Sequence, residues 1–390
     1  MSDTVPSKLP RRDYILLPLI AILTFIVMVS STEFVVRRNF TEIDTDTCQV
    51  PGTGHHKVNC SVTLKAMEGP AYRETYNDCG YRSAAPCGPK PPGHIRVVVL
   101  GSSFTLGDKV PYDNTFVAIT ERNLNTVCPR TFEFQNLSAI AQQPLLVYHR
   151  TDEALALKPD VLLVSFSPTD ADVNYTEEEL HDLDAVAEPP RPRPALSLLK
   201  RLSLVNLAPV TQKVAKHYLF QNQEKYLSLY LRTGDQADFL RSPLTPRWKR
   251  RFEQLDVILG AIADKAHAQG VPVVFAAGLQ RAEVGLMSEA TRPPGVDPYA
   301  FEAEIARITA EHGVLNIDPD PYYSRISKAS NLFYAIDGHL DSNGNAVYGE
   351  ALTHGLLATG LPPFQSCSAP SLRSAPGPGI ASRPSSHPLL

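Results

Sequence analysis

Neither sign of charge dominates this chain. Its 37 Lys and Arg stand against 41 Asp and Glu, a formal net charge of −4, so no basic field is present to hold a nucleic acid. No Cys-x-x-Cys pair occurs, which removes the common zinc-ribbon and dithiol-redox spacings. Five residues separate Gly101 from Gly107 and Asp108 follows, so the phosphate loop with its Gly-Lys-Ser/Thr ending is missing, and a dinucleotide fingerprint fails too. The histidines, including adjacent His55 and His56, lack metal-ligand spacing. The run Asp337, His339, Asp341, Asn343, Gly344 puts mostly oxygen-bearing side chains at alternate positions, yet no Glu closes it as a calcium loop requires. The expectation is chemistry without cofactor or metal.

A single long apolar run is present. Tyr14 to Ser31 carries no charge, and about 18 such residues approach the length a helix needs to cross a bilayer. Lys8, Arg11 and Arg12 precede it, which fits a cytoplasmic N-terminus. A cleaved signal has a shorter apolar stretch and a small-x-small exit, of which Val29-Ser30-Ser31 is a poor version, so 14–32 reads as a retained anchor. All six cysteines (48, 60, 79, 87, 128 and 367) follow it, and an even number outside the cytosol favours disulfides. Cys48 with Cys60 and Cys79 with Cys87 are local candidates among fifteen connectivities. The expected protein spans the membrane once, with its main domain in a periplasm or outside the cell.

Residues 1–13 form the cytoplasmic end, 33–92 a Cys-rich, loop-rich connector closed by Lys90-Pro-Pro-Gly93, and 93–363 the main domain. Ile95 to Leu100 is apolar nearly throughout, as in a strand buried on both faces of a parallel sheet. Further strands are expected at 132–137, 161–166, 272–277 and 314–317, and helices at 145–157, 246–269, 299–312 and 345–359. This alternation predicts an α/β fold, a three-layer doubly wound parallel sheet. Residues 175–243, with Glu188-Pro-Pro-Arg-Pro-Arg-Pro194, show no strand pattern and read as an insertion that either covers the site or packs as an appendage. The Ser-, Pro- and Ala-rich tail, 364–390, has little to bury and reads as disordered.

Two segments about 235 residues apart carry the chemistry. In Val97-Val-Val-Leu-Gly-Ser-Ser-Phe-Thr-Leu-Gly107, an apolar run stops at glycine and presents Ser103, where a strand gives way at the ligand-gathering edge of such a sheet. Asp337-Gly-His-Leu340 offers His339 as a base and Asp337 to orient it. Serine needs such a base before it attacks an ester. Gly101-Ser102-Ser103 also suits a helix N-cap, which remains open on local grounds.

These blocks, with Asn136-Leu-Ser-Ala139 and Phe166-Ser-Pro-Thr-Asp170, resemble those of the SGNH hydrolases, also called GDSL-type esterases. Tyr76-Asn-Asp-Cys-Gly-Tyr-Arg82 and Lys90-Pro-Pro resemble the approach segment of membrane-anchored bacterial members, and the similarity spans most of 76–360. The resemblance implies Ser103 as nucleophile, His339 as base and Asp337 as its partner. The Asp-x-His spacing is similar to that of alginate-type O-acetyltransferases. The family's oxyanion donors are the nucleophile's N–H, a glycine N–H and an asparagine amide. Ser138 stands in place of the glycine and Thr169 in place of the asparagine, while Ser102 replaces the aspartate before the nucleophile. Asp170 and Asn174 lie nearby, but an anionic Asp170 would repel an oxyanion and is left unassigned. The expected function is a membrane-tethered serine esterase or O-acyltransferase acting on an acyl, most simply acetyl, ester of an envelope carbohydrate. The alternative is an impaired relative that binds envelope glycan or an assembly partner.

Overall fold

The computed structural model describes residues 10, 12–40, 42–43, 46–50, 53–184 and 207–368. The expectations for residues 1–9, for the Pro-rich run 188–194 and for the tail beyond 368 fall outside them. In chain order, α1 (Asp13–Phe40) leads to two antiparallel hairpins, β1 (Gln49–Val50) with β2 (His55–His56), and β3 (Ser61–Lys65) with β4 (Ala71–Thr75). Then come β5 (Ile95–Gly101), α2 (Ser103–Leu106), α3 (Phe116–Val127), β6 (Phe132–Asn136), α4 (Pro144–His149), α5 (Thr151–Ala156), β7 (Val161–Ser165) and α6 (Pro168–Ala171). The insertion supplies α7 (Glu177–His181), α8 (Leu207–Phe220) and α9 (Gln223–Tyr230). The chain closes with α10 (Pro246–His267), β8 (Val273–Ala276), α11 (Arg281–Met287), α12 (Ala300–Glu311), β9 (Leu315–Ile317), α13 (Asp320–Tyr323) and α14 (Ser342–Ala358).

Five strands, joined by four parallel pairings, form one sheet in the order β6-β5-β7-β8-β9. Strands β5 to β8 are buried on both faces, so their side chains alternate between two cores with period two. Val98, Leu100, Leu162 and Val164 join the core under α4, α5, α10 and α12, whereas Val97, Val99, Val161 and Leu163 join the one under α3 and α14. Each fully buried Val, Leu or Phe contributes roughly 1.5–3 kcal/mol, and these two layers supply most of the apolar burial. In α10, Thr245 accepts from Trp248 N–H at the N-cap and Pro246 fills the first turn. Its apolar stripe at Phe252, Leu255, Ile258, Leu259 and Ile262 then faces the sheet.

The chain runs from β5 to β6 on one side and returns to β7 on the other, so direction reverses at β5/β7. A crevice opens there at the carboxyl ends of the strands. Three expectations need correction. The connector is not merely loop-rich: β3 and β4 form a five-residue ladder in which Tyr72 and Glu74 point inward. Inward Glu74 hides the apolar alternation, and Arg82 partners it from 3.4 Å. Helix α3 was absent from the expected elements. Order also persists past 363, because Phe364 is buried on Phe132 and Cys367 is bonded to Cys128. The other disulfides are Cys48–Cys60 and Cys79–Cys87.

Candidate active site

Ser103 stands on the turn from β5 into α2. That turn must be tight: a Cβ on Gly101 would overlap the Thr105 side chain and approach Ser165 O to 2.8 Å. Ser102 is the N-cap, and its Oγ accepts from Phe104 N–H and donates to Asp170 Oδ2 at 2.8 Å. The capping serine is therefore Ser102, which leaves the Ser103 hydroxyl directed to the crevice. Asp170 Oδ2 also accepts from Ser167 N–H (2.8 Å) and Ser167 Oγ (2.7 Å), so the carboxylate ties the β5 exit to the β7 exit. Burial pushes the Asp170 carboxyl pKa up, against those hydrogen bonds.

His339 Nε2 lies 2.8 Å from Ser103 Oγ, and its Nδ1 lies 2.6 Å from Asp337 Oδ1. With the proton on Nδ1, the ring donates to Asp337 and accepts from Ser103. The side chains of His339 and Asp337 are 24% and 22% exposed, at the mouth of the crevice. Burial pulls the His339 pKa down, but the hydrogen bond and charge of Asp337 more than offset it, so the imidazole stays above its ordinary value. Burial likewise raises Asp337, and His339 with Lys109 reverses the direction, holding that carboxyl below its usual range. Lys109 Nζ is 4.0 Å from Asp337 Oδ2 and 3.1 Å from Asp108 Oδ2.

The loop carrying His339 is a small bridge, Phe333 to Leu340, with Gly338 at φ +87° making its bend. Tyr334 N–H donates to His339 O (2.9 Å) and Tyr334 Oη to Lys109 O (3.1 Å). Glu68, at the tip between β3 and β4, accepts from Ile336 N–H (2.8 Å) and Asp337 N–H (3.2 Å). Its other oxygen meets His217 Nδ1 of α8 at 2.6 Å. The alternating oxygens at 337–344 are thus otherwise engaged: Asp341 caps α14 by accepting from Asn343 and Gly344 N–H, and Asp337 serves His339.

The crevice has a volume of ≈ 470 Å³ and takes in Ser103, Thr169, Asp337 and His339. Ser138 is not part of its lining; its N–H donates to Asn136 Oδ1 at 3.1 Å. Thr169 accepts from Gln280 Nε2 at 2.6 Å. The described part of the insertion walls the crevice through Phe220, Tyr226 and Tyr230, whose successive ring centroids are 5.4 and 5.8 Å apart. Glu68, Lys109 and Gln280 were absent from the sequence reading. Gln280 had a usable signal, since it follows the carboxyl end of a sheet strand; Glu68 had none.

No protein-family model and no curated protein matches this chain. Among solved structures it is similar to a protein of the G-D-S-L lipolytic family from Desulfitobacterium hafniense DCB-2, with 15% identity over 67% of this chain and 98% of that one and a TM-score of 0.36. TesA aligns at 14% identity over 67% and 97%, TM-score 0.38. The acetylxylan esterase Axe2 from Geobacillus stearothermophilus aligns at 11% over 67% and 94%, TM-score 0.39. Superpositions this loose leave the fold to the strand order and the chemistry to the distances.

Proposed function

We propose that this protein is an SGNH-type serine esterase or O-acyltransferase that works through an acyl-serine intermediate. The observation that carries the reading is the continuous chain Ser103 Oγ, His339, Asp337, with hydrogen-bonding distances of 2.8 and 2.6 Å. Ser103 Oγ attacks the acyl carbon as its proton passes to His339 Nε2, and Asp337 stabilises the imidazolium. The tetrahedral adduct collapses when His339 returns that proton to the leaving alkoxide oxygen, and the acyl group stays on Ser103. Water or an acceptor hydroxyl then repeats the sequence in reverse, giving hydrolysis or transfer.

The substrate class in this reading is an acylated carbohydrate of the cell envelope. Aromatic rings along the crevice suit stacking on sugar C–H faces, and the disulfides fit an oxidising compartment. Tethering rests on α1, whose segment Asp13–Thr32 has mean hydropathy 2.4 and is not buried inside the structure. Just after it, Glu42 pairs with Lys213 of α8 at 2.8 Å, so the insertion wall is tied to the anchor's exit.

A fluorophosphonate probe tests the nucleophile on the full chain in detergent. Wild type should label and Ser103→Ala should not, with acetyl-ester turnover falling roughly 10⁴- to 10⁶-fold in Ser103→Ala and His339→Ala. A folded wild type that neither labels nor turns over would replace this reading with a glycan- or partner-binding role.

A further inference from the structure

Where the resemblance leads one to expect an asparagine amide, this chain has Thr169, a shorter side chain with a hydroxyl. A carboxamide nevertheless reaches Thr169 from beyond the end of the next strand. Beyond β7 and β8 the two exits run in contact: Gly278 N–H donates to Phe166 O at 2.9 Å, and a Cβ on Gly278 would stand 2.9 Å from Ser167 Cβ and 3.2 Å from Phe104 Cδ1. Only glycine lets the backbones approach so closely. Two residues on, Gln280 Nε2 meets Thr169 Oγ1 at 2.6 Å, inside the crevice that holds Ser103 and His339. The Gln280 backbone is itself fixed, its N–H donating to buried Glu283 Oε2 at 3.0 Å.

We propose that Gln280, acting with Thr169, supplies the side-chain donors that receive the oxyanion; this rests on the esterase reading above. The Gln280 amide has two N–H hydrogens, of which Thr169 takes one and the crevice the other. Because Thr169 Oγ1 accepts from Gln280, its own O–H is left to donate. As Ser103 Oγ bonds to the acyl carbon, the carbonyl π pair moves onto oxygen, and these two hydrogens meet the new charge. The pair replaces one asparagine with a relay from two strands. It also accounts for Ser138, whose N–H is already held by Asn136.

Steady-state turnover of p-nitrophenyl acetate by the full chain in detergent, with fluorophosphonate labelling alongside, tests the assignment. Gln280→Ala should lower kcat about 10²-fold, the scale of one lost oxyanion donor, with KM within about threefold. Thr169→Asn placed in the Gln280→Ala background should recover most of that loss, which a merely structural Gln280 would not permit. Should Gln280→Ala fail to fold, Thr169→Val is the second variant, expected to lose kcat similarly. An active, labelled wild type whose Gln280→Ala or Thr169→Val variant keeps kcat within about threefold would overturn the proposal and leave the esterase reading intact. A folded wild type without labelling or turnover would overturn both.

Discussion

The two halves of the crevice are built in different ways. Ser103 is placed by eleven consecutive residues, 97–107: a buried strand, a glycine that permits the turn, and a serine cap that leaves the next hydroxyl free. His339 sits on a loop that belongs to no strand of the main sheet. That loop is held by Glu68 from 268 residues away, by Lys109 and by its own Tyr334. Local backbone geometry therefore positions the nucleophile, whereas long-range polar contacts position the base. Damage to the second half should act through orientation and protonation, and the fold should survive it.

The largest test of that difference is at Asp337. His339 must be neutral to take the Ser103 proton, and its pKa lies above the ordinary 6.5, so kcat/KM should rise with pH through a value above 6.5. Asp337→Asn removes the charge that raises it and leaves at most a neutral amide hydrogen bond, so burial and Lys109, which lower it, are opposed mainly by the Asp108 charge. The ascending limb should then move to lower pH while the plateau drops about 10²- to 10⁴-fold, because the tautomer is no longer fixed. A pH–rate profile with an unmoved limb would show that another group orients the imidazole.

The first half was legible in sequence because its placement is local. Ile95 to Leu100 is buried on both faces, so its run is apolar except at Arg96, and Gly101 marks the turn. His339 and Asp337 could be paired with Ser103 only from residue types and then from resemblance, since nothing local in 337–340 aims a side chain. Glu68 was hidden because it lies on the tip of a hairpin whose partner residues are separated by the whole domain. Helix α3 was hidden by Arg122, Asn123 and Asn125, which interrupt its apolar stripe even though Phe116, Val117 and Leu124 are buried. Thr169 was identified as the departure from the family, and Gln280 could be placed at a strand's carboxyl end, but their meeting depends on the register of β7 with β8.

Glu68→Gln gives the next effect in size. The side chain keeps its length and one oxygen for the Ile336 and Asp337 amides, but it loses the charge that strengthens both bonds and turns an NH2 toward His217 in place of the second oxygen. Displacing the Asp337-His339 loop by a fraction of an ångström should lower kcat/KM roughly 10-fold, within the 10²-fold range of such misplacements. Labelling of Ser103 at saturating probe should still go to completion, since β5 and α2 do not depend on Glu68. An unchanged kcat/KM would mean that the loop holds itself and that the contrast between the two halves is smaller than the contacts suggest.

The smallest effect on turnover is expected at the opposite end of the sheet. Cys128–Cys367 closes a loop with a sequence separation of 239, beside Phe132 at the start of β6, while Ser103 follows the far end of adjacent β5. Its link therefore constrains the unfolded chain without touching the crevice. Chain entropy for so long a loop corresponds to about 5 kcal/mol, and strain or residual unfolded structure reduces what is realised. Cys128→Ser with Cys367→Ser should lower Tm by several degrees while kcat at 25 °C stays within about twofold of wild type. Were kcat to fall with Tm, the strand that places Ser103 would depend on a staple at its other end, and the nucleophile's position could no longer be called local.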